Sequence, residues 1–273
     1  MPRAIAAALT PLTEGGAALD LDSVAPYVAF LADAGIDGLL VAGTTGEGMN
    51  LTLPERKALL EAFASGPLPV IAHCGAQTTA ATVELAVHAA QLGVEGVAVI
   101  APPYFPLRPE ELLAHFTAAA KACAPTPFYA YELERASGYA IPPSVVEELR
   151  SSAPNLVGMK VSDAPFEKVT PYLFPGLDVF IGAEALIGEG LAAGAAGAVS
   201  GLASALPEAV VDAVSSGDSE RAGALRARVE RFPRHAALKE IVRAAGVPMR
   251  ADVRPPLRGL TAAERTELFE LVA

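Results

Sequence analysis

Lys160 interrupts the apolar run Leu156-Val157-Gly158-Met159-Lys160-Val161. Lysine is almost never fully buried without a partner or a purpose, and this chain has only five lysines against fifteen arginines. A desolvated lysine has a depressed pKa and a larger neutral, nucleophilic fraction near pH 7, which suits imine formation with a ketone. The plainer alternative is a strand-end lysine whose stem lies on apolar surface while its head reaches water. A second candidate is Val41-Ala42-Gly43-Thr44-Thr45-Gly46-Glu47-Gly48. Its glycines let backbone approach a ligand, and two hydroxyls beside free N–H groups can cradle a carboxylate; a Thr-capped turn is the competing reading. Tyr104 in Pro102-Pro103-Tyr104-Phe105 and Tyr131 in Phe128-Tyr129-Ala130-Tyr131-Glu132 fall at two further strand ends, where a single tyrosine is more often structural but the set of them beside Lys160 and the threonines points to one site. His73, His88, His115 and His235 are scattered and read as structural or surface residues. No His/Asp/Glu cluster has metal-ligand spacing.

These residues can cooperate only if the elements bearing them converge. Strand-like runs recur at Ala4–Leu9, Gly38–Ala42, Pro69–Ala72, Gly96–Ile100, Pro127–Tyr131, Leu156–Val161, Val179–Gly182 and Gly197–Ser200. Most are continuous apolar runs, as in parallel strands covered on both faces. Amphipathic stretches lie between them, among them Pro54–Ser65, Thr79–Gln91, Pro109–Cys123 and Pro143–Ser151, with Pro54 and Pro109 marking helix starts. Eight βα units in a row predict an α/β fold, a (β/α)8 TIM barrel, in which functional groups lie at the C-terminal ends of the strands. A doubly wound open sheet is the runner-up, but the first strand leads into Thr10-Pro11-Leu12 rather than a glycine-rich dinucleotide fingerprint. Residues 1–217 are read as the barrel and 218–273 as a C-terminal helical extension, with helices over Pro207–Ser216, Ser219–Ala245 and Thr261–Val272.

Composition narrows the partners. The 273 residues are 52% hydrophobic and carry a net charge of −11, which argues against nucleic acid and anionic membranes, both of which need basic patches. The apolar stretch Leu186–Leu206 is broken by Glu189, Ser200, Ser204 and several glycines, a poor membrane span. Two cysteines without metal-type spacing, Cys74 and Cys123, and an N-terminus without a signal-peptide pattern make the reduced cytoplasm the expected location.

In order along nearly the whole chain, the sequence resembles the dihydrodipicolinate synthase / N-acetylneuraminate lyase family of pyruvate-dependent class I aldolases. The resemblance rests on Gly43-Thr44-Thr45-Gly46-Glu47, Pro103-Tyr104, the segment Tyr131 to Gly138, Gly158-Met159-Lys160, and the Gly-Ala-rich stretch Gly194–Ser200. It implies that Lys160 forms an imine with pyruvate or another 2-oxo acid, with no further cofactor. It implies too that Thr44 and Thr45 hold that acid's carboxylate, and that Tyr131 transfers protons with help from Thr45 and Tyr104. Gly43, Gly182 and Val199 complete the expected substrate-binding set. In some family members the tyrosine at the Tyr104 position crosses a dimer interface, so a homodimer or homotetramer is expected. Gly158, two residues before Lys160 on the same strand face, is expected to leave room on the barrel axis.

The match departs at the second substrate. Dihydrodipicolinate synthases usually carry Tyr-Asn-x-Pro-x-Arg-Thr-Gly after the fifth strand; this chain has Tyr131-Glu132-Leu133-Glu134-Arg135-Ala136-Ser137-Gly138. The arginine's position is Ala136, Arg135 comes one residue early, and Glu132 and Glu134 add negative charge at the expected entrance. Met49, Gln77, Ala81 and Pro103 replace the family's lysine-feedback residues, and Ser200-Gly201-Leu202-Ala203 is closer to 2-keto-3-deoxy sugar acid aldolases. The expected activity is therefore a class I lyase acting on a 2-keto-3-deoxy sugar acid or related 4-hydroxy-2-oxo acid. The alternatives are 4-hydroxy-tetrahydrodipicolinate synthase, a phosphate-binding barrel enzyme using Gly194–Gly201, and a catalytically retired barrel that binds a small molecule.

Overall fold

Strands that are apolar at consecutive positions need cover on both faces, and the computed structural model, which describes residues 1–272, supplies it by closing the sheet on itself. The eight barrel strands are β1 (Arg3–Ala7), β2 (Gly38–Val41), β3 (Val70–His73), β4 (Gly96–Ile100), β5 (Phe128–Glu132), β6 (Leu156–Val161), β7 (Asp178–Ile181) and β8 (Gly197–Ser200). Each pairs in parallel with its sequence neighbours, and β1 pairs with both β2 and β8 to complete the ring. The (β/α)8 barrel expected from the apolar runs is the fold observed. A small antiparallel hairpin, Leu12–Thr13 against Ala18–Leu19, follows β1 and had no signal in the apolar pattern.

The outer layer is α1 (Val24–Asp33), α2 (Leu53–Ala64), α3 (Thr79–Gln91), α4 (Pro109–Cys123), α5 (Pro143–Ser152), α6 (Ile187–Ala192) and α7 (Pro207–Ser216). Its starts follow local chemistry: Thr52 and Glu55 form a reciprocal capping box at α2. The expectation of eight complete βα units fails once. Between β6 and β7 the chain makes only two 3-10 turns, Phe166–Lys168 and Thr170–Tyr172, because Pro165, Pro171 and Pro175 deny a longer helix its N–H donors.

Beyond the barrel lie α8 (Glu220–Val229), α9 (Arg234–Ala244) and α10 (Ala262–Val272). The single helix expected over Ser219–Ala245 is thus two, broken before Pro233, which would clash with the preceding turn in a continuous helix. The break turns the start of α9 toward the end of β2, with consequences for the site.

Inside the barrel, Ile5, Ala7, Leu40, Ile71, Ala98, Tyr129, Phe180 and Val199 form one cluster of inward side chains. Tyr129 pairs in register with Gly158, and Tyr131, one layer higher, with Lys160. Gly158 does not leave the axis open, as the sequence suggested. A Cβ there would lie 2.2 Å from the Asp178 carbonyl oxygen and 3.0 Å from the Tyr129 ring, so the glycine admits the neighbouring strand and the Tyr129 ring. No described helix is long and apolar enough to cross a membrane.

Candidate active site

Strand alternation turns Lys160 and its register partner Tyr131 to the same side at the C-terminal end of the barrel. Lys160 is 7% exposed and Tyr131 1%, and Nζ lies 4.3 Å from the centroid of the Tyr131 ring. The Tyr131 hydroxyl is 3.3 Å from Thr44 Oγ1, and the His73 ring stands edge-on to the Tyr131 ring, centroids 5.9 Å apart. Burial alone would raise the Tyr131 pKa. The positive charge of Lys160 and hydrogen bonds with Thr44, Lys160 and Ser162 outweigh it and hold the phenol below its usual 10.0. A phenol made more acidic beside an amine is a competent proton donor and acceptor for that amine's chemistry.

The loop after β2 is folded by its own glycines. Ala42 and Glu47 have φ of 58° and 56°, the Gly48 N–H donates to the Gly43 carbonyl at 3.1 Å, and a Cβ on Gly48 would sit 1.8 Å from the Ala42 oxygen. Among the described residues, the Thr44 and Thr45 N–H groups donate to no backbone carbonyl, and both threonines line the Lys160 pocket. A carboxylate placed there would meet free N–H donors and hydroxyls.

Helix α9 holds this loop from outside the barrel. Arg234 Nη2 donates to Thr45 Oγ1 at 2.7 Å, His235 Nε2 to the Thr44 carbonyl at 3.0 Å, and Lys239 Nζ to Glu47 Oε1 at 2.6 Å. Glu47 is therefore a structural anchor, its second oxygen accepting from the Arg254 N–H at 2.7 Å. The sequence offered no sign of Arg234 or Lys239, and His235 sits closer to the site than a scattered surface histidine would.

The expected residues divide. Lys160, Tyr131, Thr44, Thr45 and Gly182 line one pocket with Ser162, Gly201 and three arginines, Arg135, Arg226 and Arg234. Gly182 is required for closeness, since a Cβ there would fall 1.9 Å from Ser162 Oγ. Gly43 shapes the loop without lining the pocket, and Val199 belongs to the apolar cluster inside the barrel. Tyr104 stands apart: it is 82% exposed at φ 84°, its ring edge-on to the exposed Phe105 at 4.8 Å.

The segment after β5 also differs from expectation. Residues Glu134–Ser137 form one helical turn, which brings Arg135 to the Lys160 pocket and turns Ala136 toward a neighbouring apolar pocket lined by His73, Ile100 and Pro103. Glu132 does not guard an entrance. It is 1% exposed and turned away from Tyr131, accepting from the Ile141 N–H at 2.7 Å. Burial, opposed by that bond and aided by Asp163 and Glu134, pushes its pKa to about 8. Glu134 pairs with Lys168.

Comparison with known proteins gives the family. The family model for the dihydrodipicolinate synthetase family matches residues 1–273. A DapA-like lyase of Halobacterium salinarum is 34% identical over 267 residues, 92% of this chain and 86% of that protein. A 4-hydroxy-tetrahydrodipicolinate synthase of Synechococcus is 34% identical over 232 residues, 82% and 76% of the two chains. The structure of Proteus mirabilis N-acetylneuraminate lyase superposes with a TM-score of 0.90 at 27% identity, covering 100% of this chain and 97% of that one. By sequence and by barrel alike, the chain belongs to the dihydrodipicolinate synthetase family of lyases.

Proposed function

We propose that this protein is a class I lyase in which Lys160 forms an imine with a 2-oxo acid. The observation that carries the reading is Lys160 Nζ, buried at the end of β6 and 4.3 Å from the ring of Tyr131, whose hydroxyl contacts Thr44. The neutral amine attacks the C2 carbonyl carbon, a proton relay through Tyr131 converts the carbinolamine oxygen to departing water, and a protonated imine remains. That imine withdraws electrons from C3. In condensation, C3 loses a proton to give an enamine, whose electron pair forms the C3–C4 bond to an aldehyde. In cleavage, the C4 hydroxyl loses its proton, the C3–C4 bond breaks to release the aldehyde, its pair passes to the imine to give an enamine, and C3 takes up a proton to restore the imine. Water then releases the product from Lys160. Thr44 and Thr45 hold the C1 carboxylate through hydroxyl and N–H groups.

The favoured substrate class is a 2-keto-3-deoxy sugar acid or related 4-hydroxy-2-oxo acid. Arg135 in the Lys160 pocket also supports a second reading, 4-hydroxy-tetrahydrodipicolinate synthase, with aspartate semialdehyde as electrophile. The exposed Tyr104–Phe105 pair fits a homodimer or homotetramer in which a second copy covers it, and two buried free thiols fit a cytoplasmic location. The test is borohydride reduction in the presence of pyruvate, read by intact mass. A single reduced pyruvyl adduct on the wild type that disappears in Lys160→Ala is expected. An unmodified wild type, or an undiminished adduct on the variant, overturns the reading. A panel of 2-oxo acids and aldehydes separates an active enzyme from a barrel that binds without turnover.

A further inference from the structure

Two buried carboxyls on the outer side of the barrel hold the loop that walls the Lys160 pocket. Glu132 ends β5 in register with Val161 of β6, and the Ser162 N–H donates to the Glu132 carbonyl at 3.0 Å. Lys160 and Ser162 both line the pocket, so alternation sets Glu132 and Asp163 together on the opposite face. They are 1% and 7% exposed, and their carboxyl groups lie within hydrogen-bonding reach of each other.

Between them they clamp both ends of residues 133–140. Asp163 Oδ2 accepts from the Glu134 N–H at 3.1 Å, where the loop leaves β5. Glu132 Oε2 accepts from the Ile141 N–H at 2.7 Å, where the loop ends, and the Tyr172 hydroxyl donates to the Ile141 carbonyl at 2.7 Å. Inside the clamp the bonds are mostly short-range. The Gly138 N–H donates to the Glu134 carbonyl at 2.7 Å, and the Ser137 hydroxyl to the Tyr139 carbonyl at 2.6 Å. The Tyr139 hydroxyl reaches the Pro102 carbonyl at 3.0 Å. Leu133 and Arg135 line the Lys160 pocket and Ala136 its neighbour, so the clamp sets one wall of the site.

The clamp has no counterion of its own. Among the described residues no basic side chain bonds to Glu132 or Asp163; Lys168, on the turn Phe166–Lys168, pairs instead with Glu134 at the surface. The other ionisable groups that face the pair are Glu134 itself and the phenols of Tyr139 and Tyr172, none of which brings positive charge. Glu132 Oε1 is buried without a partner, a place for a proton shared with Asp163. Two adjacent carboxyls away from water do not both ionise at ordinary pH. Burial above all, helped by Asp163 and Glu134 and opposed by the Ile141 N–H, accordingly holds Glu132 at about 8.

We propose that Glu132 and Asp163 are positioning residues that act as one singly charged, proton-sharing pair, holding residues 133–140 against the Lys160 pocket, and that this loop loosens when the pair takes on its second negative charge. The proton leaves to solvent, the two carboxylates repel, and separating them releases the Glu134 and Ile141 N–H groups together. Leu133 and Arg135 then leave the pocket wall. This goes beyond the imine chemistry proposed for Lys160 and does not depend on it.

Hydrogen–deuterium exchange of the intact protein, read by mass spectrometry on the peptide covering 133–141 and corrected for the intrinsic base-catalysed rate, measures the opening directly. A group that ionises only on opening raises the opening constant by up to about tenfold per pH unit. The wild-type segment is expected to open at least about tenfold more at pH 8 than at pH 6, while the hairpin at 12–19, on the β1 side of the barrel, stays flat. Glu132→Gln keeps the shape and the acceptor for Ile141 but cannot ionise, so its segment should change less than about twofold. Asp163→Asn keeps the acceptor for Glu134 and removes one charge; its rise should be smaller than that of the wild type. A flat wild-type segment overturns the proposal. So does a rise undiminished in Glu132→Gln, or a hairpin that opens as steeply as the segment.

Discussion

Replacing Lys239 by Met is expected to unfasten the loop that carries Thr44 and Thr45. Both side chains of the Lys239–Glu47 pair are 0% exposed and 2.6 Å apart. The same ammonium donates to the Asp252 carbonyl at 2.6 Å, so one residue ties the loop after β2 to the chain that follows α9. Methionine keeps most of the stem's volume but leaves the Glu47 carboxylate buried with the Arg254 N–H as its remaining partner. Removing one member of a buried pair costs about 3–5 kcal/mol. Each kcal/mol moves the melting temperature of a domain this large by about 2–4 °C, so a fall of roughly 10 °C is expected. Glu47 sits at φ 56°, a conformation that persists only where its surroundings hold it; without Lys239 the spacing of Thr44 and Thr45 loosens and KM for the 2-oxo acid rises. Scanning calorimetry on Lys239→Met, Glu47→Gln and the double variant closes a cycle. The double variant, which leaves no unpaired charge, should lose less than the sum of the singles. A melt for Lys239→Met within about 2 °C of wild type, or fully additive losses, would refute the assignment of this pair as the loop's anchor.

Two further outcomes follow from buried geometry elsewhere. Glu132 is held near a pKa of about 8 in the folded protein against an ordinary 4.5, so the stability it contributes is full below pH 4.5 and is lost as pH rises through 8. At about 1.4 kcal/mol per pH unit the loss is on the order of 5 kcal/mol, and Glu132→Gln should flatten the urea midpoint between pH 5 and 9; an equally steep variant would contradict this. Gly158→Ala places a methyl 2.2 Å from the Asp178 oxygen, a backbone atom that moves only if β6 and β7 separate. A stability loss of about 3 kcal/mol or more is expected, and an unfolding midpoint unchanged from wild type would mean that the strands are not so closely paired beneath Lys160.

The barrel was legible because parallel strands write themselves as continuous apolar runs, and all eight lie where those runs are. Lys160, Tyr131, Thr44 and Thr45 were legible for a related reason: each is a polar group at the end of such a run, and closure of the sheet collects the ends. The arginines were not. Arg226 and Arg234 sit on helices, where charged residues normally mark a solvated face, and what aims Arg234 inward is the chain break at Pro233 together with a contact to Thr45 189 residues away. Arg135 misled because a one-residue offset reverses direction only on a strand. On the helical turn Glu134–Ser137 it rotates the side chain by roughly 100°, enough to set Arg135 in the lining of the Lys160 pocket and Ala136 in that of its neighbour. Glu132 misled conversely, since it is still on β5 and strand alternation turns it away from the face of Tyr131.

The division has a physical meaning for the enzyme. In the proposed chemistry, the groups written into strand ends, Lys160, Tyr131 and the threonine loop, serve the part of the substrate that every 2-oxo acid shares. The groups supplied from the C-terminal helices and the turn after β5 line the same pocket from elements outside the strands. They can change by a helix break or a one-residue offset without disturbing a strand. Lys239 links the two sets: it fixes the position of Glu47, hence of Thr44 and Thr45, from the same helix that carries Arg234. A substitution in α9 aimed at substrate choice is therefore expected to move 2-oxo acid affinity as well, whereas one at Arg135 is not, because Arg135 stands on a turn with no bond to that loop.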